Sequence, residues 1–310
     1  MQGLVPTPLN ERRGDRSTEG PTPAPEVHPK TKHMTDHPEP LTIIEPRMRR
    51  LIAYLSALWQ YRGLLYFLTK RDVQVRYRQT LLGAAWAVIQ PVFSMVIFSI
   101  FFGRLAGIKS DGIPYPIFVF AGLLPWTYFA NAISASGGSL VASSRLVTKV
   151  YFPRLVIPTS AALGGLVDLA VAMIIYAALM TYYRFVPGPA LLLFPVLVAL
   201  TVACASGVGL WLSALNVRYR DVRYVTPFLV QAWLFLSPVI YPVSLVKPPY
   251  QWLLALNPMS GIIDAFRASL LGQSAVHWST LGISTVVIAL IFVTGLLYFR
   301  KTECVFADLV

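Results

Sequence analysis

The sequence predicts an all-α membrane protein with six transmembrane helices. Of its 310 residues, 55% are hydrophobic and only 13% are charged, whereas about a quarter of the residues in a soluble domain carry a charge. The mean hydropathy is +0.60. Long uncharged stretches approach the ~20 apolar residues that a helix needs to cross a bilayer. Short basic clusters separate these stretches.

The basic clusters predict which side of the membrane each loop occupies. They lie at residues 71–78, 145–154, 216–224 and 300–301. If the apolar stretches cross in turn, all four clusters fall on one side, and the positive-inside rule makes that side the cytoplasm. We therefore expect a multi-pass protein of the bacterial inner membrane with both termini cytoplasmic. The formal charge of +12 then reflects topology and lipid headgroups rather than nucleic acid.

Composition divides the chain into four parts. Residues 1–47 are rich in proline and mixed in charge, which predicts a disordered cytoplasmic tail. Residues 48–80 place leucines at helical spacing among aromatic and basic residues, which favours an amphipathic helix in the cytoplasmic interface over a soluble helical hairpin. Residues 81–301 form the predicted transmembrane domain, and 302–310 a second cytoplasmic tail.

The six spans are predicted at residues 81–103, 114–140, 155–183, 189–215, 225–243 and 280–299. Pro91 should kink the first span because proline removes a backbone donor, and Pro125 with Gly137 and Gly138 predicts a bent or broken second span. Asp168 is the one clearly intramembrane charge, and such a residue is by default functional or paired. The sequence alone names no basic partner for it.

Residues 248–272 predict two short re-entrant helices between the fifth and sixth spans. Asp264 and Arg267 make a full crossing unfavourable, and Asn257 with Pro258 divides the segment into two pieces. Each piece has about half the length that a crossing requires, which argues against the alternative of a seventh and an eighth span. Backbone that dips into a membrane in this way must be covered by protein or by a water-filled cavity.

The sequence shows no catalytic or metal-binding signature. It contains no phosphate-binding loop, no HExxH motif and no GxSxG motif. Cys204 and Cys304 are isolated, so they predict neither a disulfide framework nor a metal site. We therefore expect no catalytic residue, no metal and no cofactor on this chain.

Two helical faces combine aromatic rings with an amide, which suits a sliding sugar chain because rings pack on the apolar C–H faces of sugars. Ordinary helix packing and a lipid-facing aromatic belt remain alternatives. The faces consist of Trp86, Gln90 and Phe93 on the first span and of Tyr224, Phe228, Gln231 and Phe235 on the fifth.

A family resemblance covers about residues 46–301. The segments at 71–91, 113–133, 146–158, 212–242 and 256–272 occur in order and together resemble the permease subunit of polysaccharide-exporting ABC transporters of the ABC-2 type. Members of this family export O-antigen chains of lipopolysaccharide, capsular polysaccharide or teichoic acid. The resemblance implies that ATP is hydrolysed on a separate subunit and that this chain is not itself an enzyme.

The resemblance also implies site residues on the cytoplasmic side. The segment 146–154 corresponds to a coupling helix that docks on the ATPase, and an apolar-aromatic ridge flanked by basic residues fits that role, although a plain basic loop is the alternative. The coupling residues are Leu146, Val147, Lys149, Val150, Tyr151, Phe152 and Arg154. The substrate entrance would comprise Arg71, Arg76, Tyr77 and Arg78, whose guanidinium forks suit a pyrophosphate or lipid headgroups.

In this family the first and fifth spans line the channel, so the two aromatic faces become channel candidates. The two short helices would form a periplasmic gate with Trp252, Asn257, Pro258, Asp264 and Arg267. The implied partners are a second copy of the permease, two ATPase copies carrying ATP and magnesium, membrane lipids and a polyprenyl-pyrophosphate-linked glycan. Rival hypotheses are an ABC-2 exporter of small lipids or drugs, an integral-membrane glycosyl- or acyltransferase, and a secondary transporter.

Overall fold

The computed structural model describes residues 56, 58–78, 85–150, 152–272, 276–303 and 306, and these residues belong to one helical unit with no β-strand among them. The predicted tail at 1–47 and the first part of the predicted amphipathic helix, 48–55, lie outside the described residues, as does most of the tail at 302–310. The described part of the chain confirms the all-α class.

The helices follow the predicted apolar segments closely. They are α1 (Arg62–Arg78), α2 (Ala85–Phe98) with a π-helical extension (Ser99–Leu105), α3 (Tyr115–Ala142), α4 (Ser144–Lys149), α5 (Val156–Tyr183), a 3₁₀ turn (Pro189–Leu193) leading into α6 (Phe194–Arg218), α7 (Val222–Leu236), α8 (Pro248–Ala255), α9 (Pro258–Leu271) and α10 (Trp278–Glu303).

Five helical segments of the described chain are long and apolar enough to cross a membrane. They are Ala85–Leu105, Tyr115–Ala142, Val156–Tyr183, Pro189–Arg218 and Trp278–Glu303. The predicted fifth span is instead a helix of 15 residues, α7, which at 1.5 Å per residue falls short of a hydrocarbon core of ~30 Å. It ends at Ser237 because the following Pro238 favours extended backbone there, with φ −102° and ψ 145°.

Helix α3 is the centre of the molecule. Within its most apolar window 78% of the residues are buried, compared with 6% in the first span, so α2 lies at the periphery. Helices α2, α5, α6, α7 and α9 all pack on α3. The predicted break in this span is absent, because α3 continues through Pro125 as one helix of 28 residues.

Helix α1 runs lengthwise beside the first half of α5. The Thr69 hydroxyl lies 3.4 Å from the Ser160 carbonyl oxygen of α5. The Arg76 side chain contacts Asp168, which lies two turns further along α5. The last turn of α1 therefore lies near the middle of α5, deeper than we expected for a helix in the cytoplasmic interface. The interfacial position of the preceding residues stays a prediction.

The two short helices predicted between residues 248 and 272 are present as α8 and α9. The Asn257 side chain caps α9 by accepting a hydrogen bond of 3.1 Å from the Met259 amide, and α9 ends at Gly272, whose φ is +66°. The Gly261 amide donates to the Ser284 hydroxyl of α10 at 3.2 Å. Their re-entrant position in the membrane stays a prediction.

Close packing of α6 on α10 gives a test of the fold. A Cβ atom at Gly207 would lie 2.8 Å from the Phe292 Cα atom, whereas a Cβ at Gly138 would meet nothing within 4 Å. We therefore expect Gly207→Ala to destabilise the purified protein by about 1–3 kcal/mol, because backbone must shift to relieve the overlap. Gly138→Ala is the matched control and should leave the thermal unfolding midpoint unchanged or slightly higher. Equal midpoints for the two variants would contradict this packing.

Candidate functional site

A groove of about 360 Å³ opens between α2, α3 and α5, with the last turn of α1 at one end. Its walls combine polar, aromatic and apolar side chains. The lining residues are Arg76, Tyr77, Trp86, Ala87, Gln90, Pro91, Thr127, Tyr128, Asn131, Ser134, Asp168, Leu169 and Ala172. Helices α2, α3 and α5 are all candidate spans, so the groove lies between helices that are long and apolar enough to cross a membrane.

The predicted intramembrane charge at Asp168 lies in this groove and is paired. Arg76 donates to one carboxylate oxygen of Asp168, and the Tyr77 hydroxyl donates to the other. The side chains of Arg76 and Asp168 are 36% and 20% exposed, so the pair is only partly screened by solvent. Sequence reasoning could not find this pair, because Arg76 and Asp168 are 92 positions apart. The available signal was that a charge inside a span needs a partner.

The predicted entrance residues are therefore not equivalent. Arg76 and Tyr77 are engaged with Asp168 inside the groove. Arg71 forms a 2.8 Å ion pair with the adjacent Asp72. Arg78, at the end of α1, is exposed. A role for these residues in binding a pyrophosphate stays a prediction, and Arg78 is now its best-placed member.

Polar side chains follow one edge of α3 along the groove. Thr127, Asn131 and Ser134 occupy positions one turn apart, and Gln90 faces the same groove from α2. The hydroxyls of Thr127 and Ser134 donate to carbonyls of their own helix, at 2.7 and 2.8 Å. Sequence reasoning named Gln90 but missed the α3 edge, because hydroxyl and amide side chains in an apolar helix give only a weak pattern.

The seven predicted channel-lining side chains are all exposed in the single chain. Trp86 and Gln90 line the groove. The remaining five, Phe93 on α2 and Tyr224, Phe228, Gln231 and Phe235 on α7, lie on exposed helix faces. Helices α2 and α7 each pack on α3. Their role in a channel stays a prediction.

The predicted coupling ridge is divided between core and surface. Val147 and Phe152 are buried, and they pack in an apolar cluster that includes Leu155, Phe299 and Phe306, with Leu146 partly buried against it. In the single chain these two members of the predicted ridge therefore belong to the core, and a role of the segment in coupling stays a prediction. Lys149 and Val150 remain exposed, while Tyr151 lies outside the described residues.

Arg154 fastens the end of the coupling segment to the last span. Its amide donates to the Glu303 carboxylate at 3.2 Å, and its guanidinium donates to the Glu303 main-chain carbonyl. A cation at the C-terminal end of a helix also meets the negative end of the helix dipole. The predicted coupling residue Arg154 thus joins the start of α5 to the end of α10.

Arg267, a predicted gate residue, is a buried structural clamp. Its guanidinium donates to the carbonyls of Pro238 and Val239 at 2.6 Å each and to Phe118 at 3.3 Å. It also lies 3.8 Å from the centre of the Phe118 ring. Arg267 thereby joins α9 to α3 and to the turn after α7.

The other predicted gate residues differ in burial and in their contacts. Asn257 accepts from the Trp233 indole at 3.0 Å and donates to the Ser237 hydroxyl at 2.9 Å, which ties the short helices to α7. Asp264 contacts His277 at 2.8 Å. Pro258 is buried, whereas Trp252 is exposed. Gating by this group stays a prediction.

Comparison with known proteins establishes the family. The family model described as "ABC-2 type transporter" matches residues 63–271, and this chain belongs to that family. The O-antigen export system permease protein RfbA of Myxococcus xanthus is 32% identical over 221 residues, which cover 70% of this chain and 84% of the relative. A Klebsiella pneumoniae protein of the same name is 26% identical, covering 79% and 94%. The polysialic acid transport protein KpsM of Escherichia coli is 23% identical, covering 65% and 78%.

The Arg76–Asp168 pair predicts a measurable coupling energy. We expect Arg76→Gln and Asp168→Asn each to lower the free energy of unfolding by about 1–2 kcal/mol, discounted for the exposure of Arg76, and the double variant to lose less than the sum. Thermal or denaturant unfolding in detergent measures this double-mutant cycle. The same cycle at Arg71 and Asp72 is the control, where we expect a coupling below about 0.5 kcal/mol. Additive losses at Arg76 and Asp168 would show that the pair contributes nothing.

Arg267 predicts a large effect from a single change. Arg267→Met should lower the free energy of unfolding by at least about 2 kcal/mol, because buried carbonyls lose their donors. Arg267→Lys should restore little, since an ammonium group cannot reach carbonyls arranged for a planar fork. Thermal unfolding of the purified protein is the measurement, and Arg104→Met at an exposed arginine is the control. A stable Arg267→Met variant would remove the clamp assignment.

Proposed function

We propose that this chain is the permease subunit of an ATP-driven exporter that moves a lipid-linked polysaccharide across the bacterial inner membrane. The observation that carries this proposal is the similarity to the two O-antigen export permeases, which extends over 84% and 94% of their lengths. The family match over residues 63–271 covers α1 to α9, including the groove and the coupling segment.

The groove supports a polar cargo. Amide, hydroxyl and ionised side chains at membrane depth are costly beside hydrocarbon. Their collection in one groove, beside the indole of Trp86, fits a path for hydroxylated sugars rather than for lipids alone. The cargo we propose is a polyprenyl-pyrophosphate-linked glycan that enters from the cytoplasmic side near Arg78.

The proposed assembly has two permease copies and two copies of a separate ATPase subunit, which holds ATP and magnesium. Exposed aromatic faces on α2 and α7 support the homodimer, because such faces in one copy suit a second copy or a shared conduit. In this proposal both chain termini and α4 lie in the cytoplasm, which the positions of the basic clusters support.

In the proposed mechanism, the ATPase contacts the exposed side of α4 and moves it during nucleotide binding and hydrolysis. Val147 of α4 and Phe152, which follows the helix, are held in the buried cluster with Phe299. Movement of α4 would therefore reach α3 and α5, which flank it in sequence, and also α10 through Arg154 and Glu303. The widened groove would then pass the glycan outwards.

Tagged purification from native membranes tests the proposal. We expect an ATPase subunit to co-purify in about equal amount and to hydrolyse ATP in lipid, as a two-plus-two assembly requires. Absence of an ATPase would remove the proposed function and leave a membrane-bound transferase or a secondary carrier to be tested.

The exposed residue that directly follows α4 gives a sharper prediction. Val150 is 54% exposed, so Val150→Asp should leave membrane insertion and thermal stability unchanged while strongly reducing the co-purified ATPase, because a carboxylate disrupts an apolar contact with the partner. Val186→Asp, at an 81% exposed valine after α5, is the matched control and should keep the ATPase. If Val150→Asp retains a full complement of ATPase, docking does not involve this residue.

A further inference from the structure

The groove carries no net formal charge. Among its lining residues, which all belong to the described part of the chain, Arg76 and Asp168 are the charged ones, and they form an ion pair with each other. The Tyr77 hydroxyl also donates to Asp168. The other lining side chains are neutral. An anionic ligand would therefore find a cation whose charge is already balanced.

Two amides face the groove with their hydrogen-bonding groups free. Gln90 on α2 and Asn131 on α3 are both exposed, and neither has a hydrogen-bond partner among the described residues. A primary amide offers two donors and an acceptor oxygen. The carbonyl oxygen of Ala87 is a further acceptor. Ala87 also lines the groove, and Pro91, one turn later, has no N–H group to donate to this carbonyl.

These groups need a polar partner at their depth in the membrane. Asn131 lies near the middle of α3 and Asp168 near the middle of α5, so both occupy the central part of candidate spans. Hydrocarbon cannot satisfy an amide, and leaving one unpaired there costs free energy. Water, a second copy of the chain or a hydroxylated ligand can satisfy it. The Trp86 ring, one helical turn before Gln90, offers the flat apolar surface that a sugar ring uses in addition.

We propose that Gln90 and Asn131 bind the hydroxyl groups of uncharged sugar units as the glycan passes, and that the groove therefore favours a neutral polysaccharide over a polyanionic one. This inference rests on the proposed export function and names the chemical class of its cargo. A carboxylated sugar in the same place would be partly desolvated without a free cation to compensate, which is costly. A neutral sugar exchanges hydrogen bonds with the two amides at little cost.

Thiol labelling tests whether Asn131 faces an aqueous path. Asn131→Cys and Ile174→Cys would be made in a variant with Cys204→Ala and Cys304→Ser, and treated in membranes with a membrane-impermeant methanethiosulfonate. Ile174 is the control because it is 71% exposed on the apolar surface of α5. We expect the N131C variant to react and the I174C variant to remain unmodified. No reaction at N131C, or a disulfide joining two copies through it, would overturn the inference by placing Asn131 in lipid or in an interface.

Cargo selectivity is tested with the purified permease–ATPase complex in lipid vesicles. The probes are one polyprenyl diphosphate carrying a neutral galactose oligomer and the same carrier carrying a sialic acid oligomer, and the readout is stimulated ATP hydrolysis. We expect stronger stimulation by the neutral glycan. Asn131→Leu should raise the half-maximal concentration of that glycan by about three- to tenfold, because one or two hydrogen bonds are lost. Asn131→Gln should restore most of it, and Ile174→Ala, at an exposed position of α5 outside the groove lining, should change little.

The outcomes separate this inference from the proposed function. Equal stimulation by both glycans, or an Asn131→Leu variant with unchanged response, overturns the neutral-cargo inference while the exporter stands. A complex that neither glycan stimulates overturns the polysaccharide cargo itself, and the inference with it. Preference for the acidic glycan would reverse the assignment and show that Arg76 is released from Asp168 when cargo binds.

Discussion

Polar groups at membrane depth must find polar partners, and the arrangement of this molecule depends on that constraint more than on any other. Asp168 in the middle of α5 is satisfied only because α1 runs beside that helix and brings Arg76 and Tyr77 to it. The pair thus fixes the depth of α1 and closes one end of the groove. The free amides of Gln90 and Asn131, which the same rule keeps away from hydrocarbon, support the proposal that the groove is the path of a polar cargo.

The same constraint explains how far the sequence could predict the structure. Apolar length and proline positions were enough for the long helices and for α8 and α9, because these depend on local composition. They were not enough for α7, where Pro238 ended a helix that hydropathy alone would have extended. Pairings such as Arg76 with Asp168 could not be predicted, since contacts between distant residues leave no periodic signal in one chain.

The site residues divide along the same line. Family resemblance suggested the coupling segment, and local composition predicted the short helices, but neither could predict which of their side chains are buried. Val147 and Phe152, which were predicted to belong to a docking ridge, are buried in the core. Arg267, which was predicted to belong to a gate, donates to carbonyls of α3 and of the turn after α7. An apolar residue in a loop and an arginine in a short helix can each be buried or exposed, and only the packed structure shows which.

These clamps suggest why the two ends of the molecule can act together. At the end that the basic clusters assign to the cytoplasm, the Arg154 amide donates to the carboxylate of Glu303 at the end of α10. Towards the other end of the same helix, Ser284 accepts from Gly261 of α9, and α9 is clamped to α3 by Arg267. Helix α10 runs unbroken between these contacts, a distance of about 28 Å at 1.5 Å per residue. Because a continuous helix resists bending over such a length, the proposed displacement of the coupling segment would reach the short helices as well as the groove.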